Sequence, residues 1–104
     1  MEQTRLPLSE YRTLEDRFRA FHKTNPDVYH HLRASALRLK GIGHERASIT
    51  LLWERLRWLE MLSTRTHDDT RKLNNNYKPF YARMLMQRNH ELHGFFETRA
   101  RSVD

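Results

Sequence analysis

The stretch SITLLWERLRWLEML, from Ser48 to Leu62, decides the predicted fold. The hydroxyl of Ser48 can accept a hydrogen bond from the free amide groups of a first helical turn, so a helix is predicted to begin at Ile49. The apolar face of this helix is broad and repeats at helical spacing, and its members are Ile49, Leu52, Trp53, Leu56 and Leu59. Its polar strip is narrower and consists of Thr50, Glu54 and Arg57. This breadth predicts the central, most buried helix of the domain, with both Trp53 and Trp58 in the core.

Two further helices are predicted before this stretch. The first begins after Ser9 and runs to about Lys23, with an apolar stripe made of Tyr11, Leu14, Phe18 and Phe21. The second runs from Pro26 to about Lys40 and offers Val28, Leu32, Ala36 and Leu39 on one side.

The ends of the second helix are marked by residues with specific backbone preferences. Proline suits the first helical position, so Pro26 leaves Asn25 to cap the helix. Gly41 and Gly43 are predicted to end it, because glycine accepts the left-handed conformation that closes a helix.

The segment after the central helix is less regular. Residues 63–75 lose helical periodicity and are predicted to form a loop or a short β-hairpin. A fourth helix is predicted to begin near Asn76, with Tyr77, Phe80, Tyr81, Met84 and Leu85 on its core face. A fifth, shorter helix is predicted in HELHGFFETRA, residues 90–100, capped by Asn89. The predicted fold is mainly α, with four to five short helices around a central buried helix.

Length and composition narrow the class of protein. The chain has 104 residues, which predicts a single helical domain over residues 1–104, with residues 1–8 expected to be flexible. It contains no cysteine, which excludes disulfides, thiolate catalysis and cysteine-ligated zinc. No apolar run is long enough to cross a membrane and no signal sequence is visible, so we expect a cytoplasmic protein without a membrane partner.

The charge balance favours a polyanionic partner. The sequence has 19 Lys and Arg against 13 Asp and Glu, a net charge of +6 at pH 7. Fifteen of the 19 cations are Arg, whose planar guanidinium suits bidentate contacts with phosphate or guanine. Nucleic acid is the commonest polyanion in a cell, so DNA is the predicted partner.

Three features of the sequence indicate which residues would contact DNA. The second and third helices have the order of a helix-turn-helix, and a hairpin over residues 63–75 would lie where a winged-helix protein has its wing. The three successive asparagines before the fourth helix carry amides that suit adenine edges and phosphates. Asn76 is expected to cap that helix and Asn74 to bond its own backbone, which leaves Asn75 for a partner. The predicted nucleic-acid-binding residues are Arg46, Arg57, Arg65, Arg71, Lys72, Asn75, Asn76 and Lys78. Glu54 argues against this surface, because its carboxylate would repel phosphate.

Catalytic and metal sites find little support. His90 and His93 stand three residues apart, whereas a zinc hydrolase helix needs two histidines four apart with a glutamate as base. There is no nucleophile elbow and no glycine-rich phosphate loop. We therefore expect a non-enzymatic protein with no metal and no cofactor.

Four motifs in order resemble a small, uncharacterised family of bacteriophage and prophage proteins. They are FHKTNPDVY, ERLRW, KLNNNYKPFYAR and FETR, and the resemblance covers roughly residues 18–99. His90 stands where similar proteins have proline. The resemblance implies a phage-type origin rather than an activity.

Small basic phage proteins bind either DNA or a host protein, and the sequence leaves both open. The first hypothesis is a DNA-binding protein that grips phosphates through its wing-like loop. The alternative is a protein-interaction module, an inhibitor or adaptor of a host factor, with Tyr77 or Trp58 as an exposed anchor. A monomer and a homodimer both remain possible.

Overall fold

The computed structural model describes residues 8–63 and 71–97, and in the first of these segments it describes side chains from residue 12 onward. This part of the chain holds four α-helices: α1 at Leu8–Thr24, α2 at Pro26–Gly41, α3 at Ile49–Ser63 and α4 at Lys78–Arg88. Short 3-10 turns flank the last helix, at Asn75–Tyr77 and His90–Leu92. The mainly α class and the approximate bounds of the first three helices are confirmed.

The joint between α1 and α2 differs from its prediction. The side chain of Asn25 makes no capping hydrogen bond to α2. Instead its Nδ2 donates to the carbonyl of Phe21 at 3.1 Å, and its backbone amide donates to the same carbonyl at 2.8 Å. The side-chain oxygen that would cap α2 accepts a hydrogen bond from Arg71. Asn25 therefore closes α1, and its side-chain oxygen binds Arg71 instead of the first turn of α2.

The joint between α2 and α3 follows the predicted chemistry. The amides of Ile42 and Gly43 donate to the last carbonyls of α2, and Gly43 has a φ of +112°, in the left-handed region that favours glycine. Ser48 caps α3, since its Oγ accepts from the amides of Thr50 at 3.1 Å and Leu51 at 3.4 Å.

All four helices contribute to one hydrophobic core. Its largest fully buried side chains are Trp53, Tyr81, Phe95, Leu32, Leu85, Leu92 and Val28. Aromatic rings connect the elements: Phe18 of α1 stacks on Phe80 at a centroid distance of 4.9 Å and meets Tyr81 edge to face at 4.8 Å. The predicted core face of the fourth helix is confirmed for Phe80, Tyr81 and Leu85.

The predicted fifth helix is wrong within the described residues. After the single turn at His90–Leu92, Gly94 adopts a φ of +74° and the chain leaves helical conformation. Phe95 and Phe96 are buried, and the carbonyl of Phe95 accepts the amide of Ala47 at 3.1 Å. Ala47 and Phe96 form an isolated parallel bridge. The two phenylalanines thus attach the end of the described chain to the α2–α3 joint and do not extend a helix.

The predicted β-hairpin falls largely outside the described residues. Of the range 63–75, residues 64–70 lie outside them, and residues 71–74 form neither strand nor helix. The part of the chain that the structure describes contains no β-strand. The expectation for residues 1–8 likewise falls almost wholly outside the described residues.

The prediction that α3 is the central helix is wrong. Leu52, Trp53 and Leu56 are buried, but the opposite side of α3 faces solvent. Trp58, predicted in the core, is 61% exposed. The apolar face is broad because α3 carries two apolar surfaces, of which only one is covered. No described helix is long and apolar enough to cross a membrane.

Asn89 is the one buried polar side chain in the described core. Its Nδ2 donates to the Tyr29 hydroxyl at 3.0 Å and to the Leu85 carbonyl at 2.9 Å, and its Oδ1 accepts from Nε of Arg33. It makes no side-chain cap to the turn that follows, contrary to the prediction. A single amide thus links α2 to the end of α4.

We expect Asn89→Ala to lower the free energy of unfolding by about 1–3 kcal/mol, because it leaves the buried Tyr29 hydroxyl without this donor. Denaturant unfolding followed by circular dichroism measures the change. Asn76→Ala is the matched control, since Asn76 is exposed and its replacement should change stability by less than about 0.5 kcal/mol. Equal losses in the two variants would contradict the assigned role of Asn89.

Candidate functional site

Arg71, predicted to grip phosphate, is the centre of an intramolecular polar network. Its guanidinium donates to both carboxylate oxygens of Asp27 at the start of α2, and to Oε2 of Glu60 on α3 at 2.6 and 3.1 Å. It also donates to Oδ1 of Asn25 at 2.9 Å. Three elements therefore meet at one side chain, and its donors are directed inward.

The electrostatics of this network are mutually stabilising. Hydrogen bonding to Asp27 is the main effect that raises the pKa of Arg71, and Glu60 raises it further, while partial burial opposes both. The same hydrogen bond lowers the pKa of Asp27 below its ordinary value of 3.8. The side chain of Glu60 is only 17% exposed against 64% for Asp27, so solvent screens the Glu60 pair less.

Arg57, predicted to approach base edges, is also occupied. It donates to the Leu73 carbonyl at 2.9 Å and to Oδ1 of Asn75 at 2.8 Å, and it forms an ion pair with Glu54. These contacts attach α3 to the segment that leads into α4. The carboxylate that was expected to repel phosphate neutralises this arginine instead.

The three asparagines have separate environments. Oδ1 of Asn74 accepts the backbone amide of Asn76 at 2.8 Å, so Asn74 caps the 3-10 turn before α4. Asn75, predicted to be free for a partner, binds Arg57. Asn76, predicted as the helix cap, is exposed, and the residue at the cap position of α4 is Tyr77. The local-bonding prediction is thus correct for Asn74, and the capping role predicted for Asn76 is wrong. Asn75 has an intramolecular partner, and its predicted contact with a nucleic acid stays a prediction.

Two of the remaining predicted DNA contacts, Lys78 and Arg46, both lie beside Thr50. Lys78 donates to Oγ1 of Thr50 at 3.1 Å on the flank of α3. Arg46 is exposed in the α2–α3 joint, beside a shallow depression that it lines with Ser48, Thr50 and Glu97. Lys72 is exposed next to Arg71. Arg65 lies outside the described residues.

The solvent side of α3 carries an apolar surface that sequence analysis did not separate from the core face. We call it the outer face of α3, and its members are Leu51, Trp58, Met61 and Leu62. Their exposed fractions are 61, 61, 57 and 64%. At 3.6 residues per turn, Leu51, Trp58 and Leu62 lie within about 40° of one another around the helix. They therefore form one stripe rather than scattered apolar residues.

Arg55 lies within this stripe and is held by α2. Its Nη1 donates to Oγ of Ser35 at 3.2 Å and lies 3.4 Å from Nε2 of His31. Arg55 is nevertheless exposed. Its guanidinium is thus positioned beside the apolar side chains, with part of its surface available to a partner.

Tyr77, the other aromatic anchor proposed from sequence, is buried at 7% exposure. Its ring packs 5.8 Å from Phe18 and 5.1 Å from Phe21. A surface role for Tyr77 is therefore wrong, whereas Trp58 is available at the surface.

A second surface feature, which we call the Tyr29 cluster, surrounds Tyr29 with basic side chains: Arg33, Arg88, His22 and His30. Arg88 lies over the Tyr29 ring at 5.4 Å, and the rings of His22 and His30 meet it at 5.8 and 5.5 Å. Burial lowers the pKa of His22, and the positive charges of Arg88 and His30 lower it further. Among the described residues, neither Arg33 nor Arg88 has a carboxylate partner within 4.0 Å.

Only the first of these features, the outer face of α3, left a signal in the sequence. Trp58 and Leu62 belong to the apolar pattern of α3 but fall on the side away from Leu52 and Leu56. The Tyr29 cluster combines residues from α1, α2 and the end of α4, so only the tertiary fold brings it together. Within the described residues, no group of three or more His, Asp or Glu is arranged to hold a metal ion.

The chain matches no protein-family model, no curated protein and no solved structure.

We expect Arg71→Ala to lower the free energy of unfolding at pH 7 by about 1–3 kcal/mol, because Glu60 and Asp27 lose their shared partner. Asp27 has a lowered pKa in the folded state, so its contribution to the free energy of unfolding is present above pH 3.8. This contribution is lost as the pH falls through the lowered pKa. The difference between the variant and the unmodified chain should therefore narrow in that acidic range. Urea unfolding at several pH values measures it, and Lys72→Ala, at an exposed neighbouring cation, is the control. An Arg71→Ala protein as stable as the control would contradict the network.

Proposed function

We propose that this protein is a protein-interaction module that associates through the outer face of α3. The observation that carries the proposal is the stripe of large apolar side chains at Leu51, Trp58 and Leu62, each more than 60% exposed. Apolar residues on one continuous surface mark interaction sites more specifically than single exposed ones. Tryptophan and arginine are enriched among the residues that dominate binding energy, and Arg55 stands beside Trp58 on this surface.

The same surface is unsuited to the role of a DNA recognition helix. Its exposed side chains are mainly apolar, and its nearby polar residues are already paired. Arg57 binds Glu54, Leu73 and Asn75, while Arg71 binds Asp27 and Glu60. Using either arginine to grip phosphate would require breaking those contacts. These contacts support the protein-interaction hypothesis over a wing-and-helix DNA reader.

The resemblance to phage proteins extends this proposal to a biological class. A phage-encoded module of this kind acts by occupying or recruiting another protein, as an inhibitor or an adaptor. It would carry out no chemistry of its own, and its activity would depend on surface complementarity.

The test compares two exposed apolar positions. Immobilised protein is incubated with a nuclease-treated bacterial host lysate and with tagged copies of its own chain. We expect Trp58→Ala to weaken the recovered association by about tenfold or more, because the indole supplies the largest contact area of the face. Ile42→Ala is the matched control, since Ile42 is 69% exposed but lies in the α2–α3 joint. Association that is absent, or equally strong in both variants, would refute the proposal.

DNA binding is a second candidate function, favoured by the Tyr29 cluster instead of the predicted wing. Arg33 uses Nε to bind Asn89, which orients its guanidinium, and Arg88 is held against Tyr29. Two exposed, oriented guanidinium groups that have no carboxylate partner among the described residues are suited to contact successive phosphates. Under this second hypothesis the protein binds the phosphate backbone of DNA without recognising a base sequence.

Titration of labelled duplex DNA at several salt concentrations tests this candidate. We expect the double variant Arg33→Gln with Arg88→Gln to reduce the slope of log K against log salt concentration. The reduction should correspond to the loss of about two phosphate contacts. Arg12→Gln with Arg17→Gln removes the same charge from exposed positions on α1 and serves as the control. An equal effect of both double variants would mean that only net charge matters.

A further inference from the structure

We infer that the outer face of α3 pairs with the same face of a second copy of this chain, antiparallel, to form a two-fold dimer. This inference rests on the proposed function and names the partner of that surface.

The spacing of the stripe residues along α3 is the same whether the helix is followed from its N-terminus or from its C-terminus. Leu51, Arg55, Trp58 and Leu62 follow one another at steps of 4, 3 and 4 residues. When a second α3 is placed antiparallel with its centre aligned, Leu51 lies opposite Leu62 of the second copy and Arg55 lies opposite its Trp58. The two-fold axis then repeats both pairs. A two-fold interface requires this self-complementarity.

The opposed groups are chemically matched. The exposed indole of Trp58 offers an aromatic face, and the guanidinium of Arg55 is a preferred cation for such a face. Its bonds to Ser35 and His31 already restrict the movement of that guanidinium, so less side-chain freedom is lost on binding. Leu51 and Leu62 contribute apolar contacts at both ends of the interface.

The charges near the stripe permit close approach in this orientation. Glu54 pairs with Arg57 within its own chain, and Glu60 pairs with Arg71, so each flanking carboxylate already has a cationic partner. A parallel arrangement would place Arg55 against its own equivalent and Trp58 against Trp58, so that neither guanidinium lies level with an indole. An unrelated partner would need a complementary set of groups at the same spacing as Leu51, Arg55, Trp58 and Leu62. A second copy supplies all of these at the required spacing.

Sedimentation equilibrium over a wide concentration range tests the association. We expect the unmodified chain to form a dimer and Trp58→Ala to weaken it at least tenfold. Ile42→Ala should leave the dimer unchanged, and circular dichroism checks that both variants remain folded. A chain that stays monomeric at all concentrations overturns the inference.

Cysteine pairing tests the orientation, because the natural chain has no cysteine. Leu51→Cys and Leu62→Cys variants are oxidised separately and then as a mixture, each chain carrying a mass tag. In the antiparallel dimer the two different positions face each other, whereas two copies of the same position are about 16 Å apart along the axis, too far for a disulfide. We expect mixed disulfides to predominate. Predominant pairing of each variant with itself would indicate a parallel arrangement and overturn the inference.

The two proposals fail in different ways. A monomer that captures a host protein, and loses it on Trp58→Ala, overturns the dimer while supporting the proposed function. A monomer that captures nothing refutes both. A dimer sensitive to Trp58→Ala, with mixed disulfides between positions 51 and 62, supports both.

Discussion

The hydrogen bonds of Arg71 hold together the joint on which the helix arrangement depends. One guanidinium binds the residue that closes α1, the first turn of α2 and the second half of α3. Because Asn25 gives its acceptor oxygen to Arg71, the turn between α1 and α2 is set by a residue 46 positions away. Local sequence signals determine where these helices begin and end, and this long-range contact fixes the positions of the helices relative to one another. Arg57 plays the corresponding role between α3 and the approach to α4 through Leu73 and Asn75.

The same contacts redistribute the charge of the protein. A net charge of +6 suggests a uniformly cationic surface, but several arginines are used internally. Asp27, Glu54 and Glu60 are neutralised by two of them, which leaves the outer face of α3 surrounded by paired charges. Among the described residues, cations without carboxylate partners include Arg55 within the stripe, Lys78 on the flank of α3, and Arg33 and Arg88 in the Tyr29 cluster. Because Arg57 and Arg71 are paired with carboxylates, they add little net positive charge beside α3, and the apolar stripe is the distinctive feature of this surface.

The sequence predicted those parts of the fold that depend on neighbouring residues. Helical spacing located α1, α2 and α3, Ser48 identified the start of α3, and the glycines marked the end of α2. The fifth helix was wrong because Phe95 and Phe96 pack against the core and bridge to Ala47, which periodicity within residues 90–100 does not reveal. The candidate site was less predictable. Apart from the local pair of Arg57 with Glu54, whether Arg57, Arg71 or Asn75 is free depends on partners that lie 11 to 46 positions away. Whether Trp58 is buried depends on which side of α3 the other helices cover.

The hydrogen bond between Asn89 and Tyr29 has a consequence for the order of folding. Its partners are 60 residues apart, and the bond from Arg33 to the same asparagine spans 56. Closing such long loops costs conformational entropy before any contact compensates for it, so helices with local hydrogen bonds form earlier. We expect these hydrogen bonds to be absent from the transition state of folding, so that their main effect is to lower the unfolding rate. The side chain that connects α2 to the end of α4 would then govern how long the native protein persists, with little influence on how fast it forms.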